Sequence, residues 1–103
     1  MMLVLPDDLR QSISSACRRY GVARMHVFGS ALRDDFRPGS SDIDLLVEFA
    51  ALTPHQLVDA YFSLLDELRR LFGGKVDLVM SDAVKNRFVL ADIERTKRLL
   101  YAA

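Results

Sequence analysis

Two aspartates, Asp42 and Asp44, stand two residues apart at the head of the run DIDLLVEF. The β-branched and aromatic content of that run suits a strand, and side chains two apart on a strand point to the same face. Two carboxylates therefore project together. At a separation of ~4 Å and an effective dielectric of ~20, like charges repel by roughly 4 kcal/mol. A cation or a proton must stand between them, and a divalent cation is the economical reading. Acidic residues at strand ends are common on protein surfaces, so the pair says little by itself. Gly29-Ser30, just upstream, changes its weight. Gly29 follows the apolar run Val22 to Phe28, so a strand leads into a tight turn where a missing Cβ and free backbone N–H groups admit a phosphate. Ser30 adds a hydroxyl donor and starts a short helix through Arg33, whose positive end faces an anion. Gly29 to Val47 thus reads as a metal and phosphate site.

A third carboxylate, Asp77, interrupts the short apolar run KVDLVM, where a charge is costly unless it is paired or bound to metal. Between it and Asp44, Thr53-Pro54-His55-Gln56 has the form of a capping box with proline at the first helical position. Leu57, Ala60, Tyr61, Leu64, Leu65, Leu68, Leu71 and Phe72 then keep helical spacing until Gly73-Gly74. If the second and third strands are parallel neighbours joined by this helix as a right-handed crossover, the three carboxylates meet at one end of a sheet. The first strand, Val22 to Phe28, must then run antiparallel to bring Gly29 to the same end.

The remaining segments support this frame. Pro6, Asp7 and Asp8 open a first helix that runs to about Tyr20, with Gly21 placed to cap it. Its Arg10, Arg18 and Arg19 read as a solvated basic face rather than an RNA site. The second strand, from about Asp42 to Phe49, turns Ile43, Leu45, Val47 and Phe49 to the core and Asp42, Asp44, Leu46 and Glu48 to the other face. Glu48 is expected to make a structural or partner contact, and His26 to be packed or half-exposed. Ser81 is expected to cap a last helical region in which Val84, Phe88, Val89, Ile93, Leu99 and Leu100 are the apolar positions. An α/β (α+β) fold follows, with a small mixed sheet of about three strands flanked by about four helices.

At 103 residues the chain is expected to form one domain, 1–103, able to hide roughly two-thirds of its unfolded surface. Fourteen basic and fourteen acidic side chains cancel, so no global field draws it to nucleic acid or anionic lipid. One cysteine, Cys17, excludes an internal disulfide and fits a reducing compartment. Its helical apolar spacing suggests a buried thiol. No stretch approaches the ~20 apolar residues of a membrane span, and MMLVLPDDL lacks the basic start and apolar length of a signal peptide. A cytoplasmic location is expected.

The combination G-S-x-x-R at Gly29, Ser30 and Arg33, then S-D-I-D-L-L-V from Ser41, then V-D-L-V around Asp77, resembles the minimal nucleotidyltransferases, small members of the polymerase β-like superfamily. The resemblance covers nearly the whole chain. It implies the nucleotidyltransferase fold and a nucleoside triphosphate bound as its magnesium salt, with two Mg²⁺ ions. Gly29 and Ser30 would hold the terminal phosphates, with Arg33 near the triphosphate and Ser41 in the nucleotide-binding set. Asp42 and Asp44 would bind the metals, and Asp77 would be the third metal ligand and candidate base. The loop between Ser30 and Asp42 is one residue longer than the commonest family pattern, which leaves the strand parity of the aspartates untouched.

The activity so implied is transfer of AMP from ATP to an acceptor hydroxyl. Many such minimal domains act as antitoxins by AMPylating a HEPN-domain RNase toxin, so a cognate HEPN toxin and a hetero-oligomer are expected, with no membrane and no direct nucleic-acid contact. The competing expectation is a non-catalytic nucleotide-binding antitoxin or subunit that blocks its partner sterically. Loss of a carboxylate would favour that alternative, and none is lost. Transfer to RNA or to a small-molecule drug is weaker, because no basic excess is available for a polynucleotide.

Overall fold

The computed structural model describes residues 5–32 and 42–103. Of the residues singled out above, Arg33, Ser41 and the Ser30 side chain lie outside them. Helix α1 (Asp7–Arg19) starts behind Pro6, with Asp7 and Asp8 in its first turn and Arg18 and Arg19 in its last, so both ends complement the macrodipole. Strand β1 (Val22–Phe28) leads into a single 3-10 turn at Gly29–Leu32. Strand β2 spans Ile43–Phe49. Helix α2 (Pro54–Phe72) carries the expected capping box, in which Gln56 N–H donates to Thr53 Oγ1 at 3.2 Å and Thr53 N–H donates to Gln56 Oε1 at 3.0 Å. It ends at Gly73, left-handed at φ 68°, whose N–H donates to the Arg69 carbonyl. Strand β3 (Val76–Met80), a second 3-10 turn, helix α3 (Arg87–Thr96) and strand β4 (Arg98–Ala102) complete the chain. Asn86 caps α3 by accepting from the N–H groups of Phe88 and Val89.

The sheet order is β3-β2-β1-β4. β2 and β3 are parallel, and β1 is antiparallel to both β2 and β4, as the position of Gly29 demanded. The fold class is the expected one, but the last segment differs. Leu99 and Leu100 lie in a fourth strand, not in a terminal helix. At Lys97 the backbone turns extended (φ −58°, ψ 149°), and the apolar and aromatic run RLLYA then satisfies the otherwise open edge of β1. Unpaired edge groups outweigh the weak helical pattern.

Ile13, Ala16 and Cys17 of α1 and Leu64 and Leu68 of α2 form the core with Met25, Val27, Ile43, Leu45, Val47, Val76 and Leu78. Arg19 joins the two helices, its Nη1 donating to both carboxylate oxygens of Glu67 at 2.8 and 2.7 Å. Cys17 is buried beside Met25, and burial pushes its thiol up to about 12, so it stays protonated and inert at neutral pH. Tyr61 O–H donates to the Leu78 carbonyl and so caps the outer edge of β3.

The two crossovers explain the second face. The β2–α2–β3 unit moves outward across the sheet, whereas β3–α3–β4 moves back across it to a parallel strand. Right-handed connections place α2 and α3 on opposite faces. This accounts for Leu46, only 3% exposed on the face turned away from α1 and α2, and for Ile93 of α3 at 5%. No described helix is long and apolar enough to cross a membrane.

Leu64→Ala should lower unfolding stability by about 2–5 kcal/mol, since the side chain is fully buried in the core. Phe62→Ala, two residues away and 63% exposed, should change it by less than about 0.5 kcal/mol. Urea titrations of the two variants check the assignment of the α2 core face.

Candidate functional site

The register of the sheet assembles the site. In the antiparallel pair Phe28 lies opposite Asp44, and in the parallel pair Asp44 lies opposite Asp77. Gly29 follows Phe28 directly, so the end of β1 and the starts of β2 and β3 coincide. Ile43 N–H donates to the Lys75 carbonyl at 3.1 Å, which extends the parallel ladder to the edge where Asp42 stands. Asp42 and Asp44 share the face turned away from α1 and α2, and in-register parallel neighbours point to the same side, so Asp77 joins them. Asp44 is half-buried, while Asp42 and Asp77 are exposed.

Gly29 is required on two counts. Its φ is 71°, a left-handed conformation that costs other residues about 1–2 kcal/mol. A Cβ there would also stand inside van der Waals contact of Asp44 Oδ2 and 3.3 Å from its Cγ. The Asp44 carboxylate therefore rests against the backbone of the turn, where only a hydrogen leaves it room.

Asp42 and Asp77 line an open cavity of about 400 Å³ together with Arg69, Gly74, Lys75 and Val76. Asp44 lies toward β1, against Gly29. Among the described residues, no three His, Cys, Asp or Glu side chains stand together as a group that could hold one metal ion. The structure thus places the three carboxylates on one face and one end of the sheet without gathering them into a closed cage. Arg69 and Lys75 did not stand out in the sequence. The last turn of α2 and the residue before β3 are ordinary places for cations, and only the Gly73-Gly74 turn brings both to the carboxylates.

Two other residues resolve as structural. Glu48 accepts a bidentate pair from Arg24 at 3.0 and 2.9 Å, at the far end of β2, and the Arg24 hydrogen bonds hold its carboxyl below the usual range. His26 is half-buried on the same face. Burial, then the Lys97 charge, lowers its pKa.

The profile of the nucleotidyltransferase domain family matches residues 9–100. A Methanocaldococcus jannaschii protein, named provisionally as a protein adenylyltransferase, is 40% identical over 90 residues, covering 87% of this chain and 88% of that protein. Among solved structures, a toxin–antitoxin complex with AMP-PNP superposes with a TM-score of 0.66 at 21% identity, covering 91% of this chain and 73% of the other. A tri-AMPylated Shewanella oneidensis HEPN toxin in complex with an MNT antitoxin gives 0.62 at 20% identity, covering 92% and 71%.

Gly73→Ala, with nothing within 4 Å of the new methyl group, should cost only the left-handed strain, about 1–2 kcal/mol. Gly29→Ala should cost more, because it adds the collision with Asp44, and Asp44→Ala in the same chain should restore part of the difference. Thermal melts of these three variants and of Asp44→Ala alone, in EDTA, check this. Equal losses at Gly29 and Gly73 would mean that Asp44 does not rest on the turn.

Proposed function

We propose that this chain, which belongs to the nucleotidyltransferase domain family, acts as a single domain over residues 1–103 that transfers AMP from ATP to a hydroxyl of a cognate HEPN-type toxin and so serves as its antitoxin. The observation that carries the proposal is the register that sets Asp44 beside Asp77, with Gly29 against Asp44. The names of the proteins it resembles support the nucleotide and the acceptor: one is provisionally named a protein adenylyltransferase, one complex holds AMP-PNP, and one holds an AMPylated HEPN toxin. Action in the cytoplasm, beside the toxin, follows from the same reading.

The donor set fits magnesium. Asp42, Asp44 and Asp77 offer hard carboxylate oxygens on one face, and Mg²⁺ is usually held by one or two carboxylates with substrate phosphates and waters, so no closed cage is needed beforehand. Bound there, up to two Mg²⁺ would supply charge neutralisation at the attacking and leaving oxygens. The backbone N–H groups of the turn at Gly29–Leu32 hold the terminal phosphates. Ser30 and, from the undescribed segment, Arg33 and Ser41 would complete that hold. Asp77 takes the proton of the acceptor hydroxyl as its oxygen bonds to the α-phosphorus. The bond from that phosphorus to the leaving oxygen breaks, and pyrophosphate departs on the side of the turn.

One observation favours a second reading, in which the chain binds a nucleotide and inhibits its partner sterically: the carboxylates are not gathered into one group of three. Intact mass of a candidate HEPN-type partner, incubated with this chain and MgATP, separates the two. Wild type should add AMP, and Asp44→Asn should slow the addition by at least about a hundredfold, the scale of losing one charge-stabilising group. The same variant should keep a cooperative melt in EDTA, since asparagine keeps the shape of the side chain, so that lost transfer reports on chemistry and not on folding. A partner that binds but gains no mass, and that Asp44→Asn neutralises as well as wild type does, supports the steric reading.

A further inference from the structure

The sheet orders the site from side to side. The turn at Gly29 ends β1, Asp42 and Asp44 stand at the start of β2, and Asp77 stands on β3. Neighbouring strands are about 4.8 Å apart. Under the proposed function, the terminal phosphates sit at the turn and the α-phosphorus lies over the β2 carboxylates. Phosphoryl-type transfer keeps the attacking and leaving oxygens roughly in line. With pyrophosphate leaving toward β1, the acceptor must arrive from the side of β3.

Two cations occupy that side. Arg69 and Lys75 line the cavity that Asp42 and Asp77 also line, and neither pairs with a carboxylate among the described residues. The neighbouring Arg70, by contrast, is paired with Asp66 at 2.9 Å. Complementing the α2 macrodipole explains an arginine in the last turn, but it does not explain Lys75, which lies beyond the helix. A neutral hydroxyl needs no cationic flank.

We infer that Arg69 and Lys75 form an anion-binding flank on the acceptor side, so that the preferred acceptor carries a negative group next to its reacting hydroxyl. The inference rests on the proposed function and adds the chemistry of the acceptor to it. Two sources supply that chemistry. One is an acidic side chain of the partner beside the hydroxyl. The other is the phosphodiester of an adenylate already transferred, whose ribose hydroxyl then attacks the next α-phosphorus, with its proton passing to Asp77 and pyrophosphate leaving as before.

The test uses the chain over residues 1–103, a candidate HEPN-type partner and α-labelled ATP in Mg²⁺, with AMP additions counted by intact mass. Arg69→Gln with Lys75→Gln should raise KM for the acceptor by about tenfold or more, the scale of losing a charge-assisted contact, while KM for ATP stays put. Arg69→Lys with Lys75→Arg should restore the acceptor KM, and added salt should mimic the neutral variant. A defect in the first addition identifies an acidic residue of the partner, and one that begins at the second addition identifies the phosphodiester. A raised KM for ATP would place the pair on the triphosphate instead, and an unchanged acceptor KM would make them a solvated surface; either result overturns the inference. If wild type adds no AMP at all, the proposed function fails and the anion flank falls with it.

Discussion

The site depends on one pairing, the parallel register that sets Asp44 opposite Asp77. Carboxylates on neighbouring strands repel, and the register holds them only because the opposite face of the same strands is buried. Ile43, Leu45, Val47, Val76 and Leu78 lock β2 and β3 against α1 and α2, and a one-residue slip would turn every one of them to the other face. The core thus enforces an arrangement that the aspartates alone would avoid. Gly29 does the same from the side of β1, since its missing side chain lets the turn close against Asp44.

Much of this was legible in the residues. Gly73 and the Thr53 capping box bound α2 because both signals are local and stereochemical. The antiparallel sense of β1 followed from a single requirement, that Gly29 reach the aspartates. Cys17 took the buried role that its apolar helical spacing suggested, and His26, expected to be packed or half-exposed, is half-buried. The fourth strand was not legible. Leu99 and Leu100 suit a helix or a strand equally in so short a run, and the deciding factor, the open edge of β1, is a property of the assembled sheet.

Arg69 and Lys75 were hidden for a similar reason. Each is unremarkable where it stands in the chain, and their meaning comes from the Gly73-Gly74 turn that brings them beside Asp42 and Asp77. The sheet also divides labour along its strands. One end carries the carboxylates and the glycine turn, while the far end is tied by the Arg24 and Glu48 pair.

The central claim is that the functional centre lies at the start of the parallel pair and not at its far end, where Glu48, Ser81 and Asp82 line a second cavity. Paramagnetic Mn²⁺, added with a non-hydrolysable ATP analogue, tests it directly by selective broadening of backbone amide signals. Broadening at Gly29, Asp44 and Asp77, with Glu48 and Asp82 unaffected, is the predicted result. Broadening centred on Glu48 and Asp82, with Asp44 and Asp77 untouched, would contradict the account.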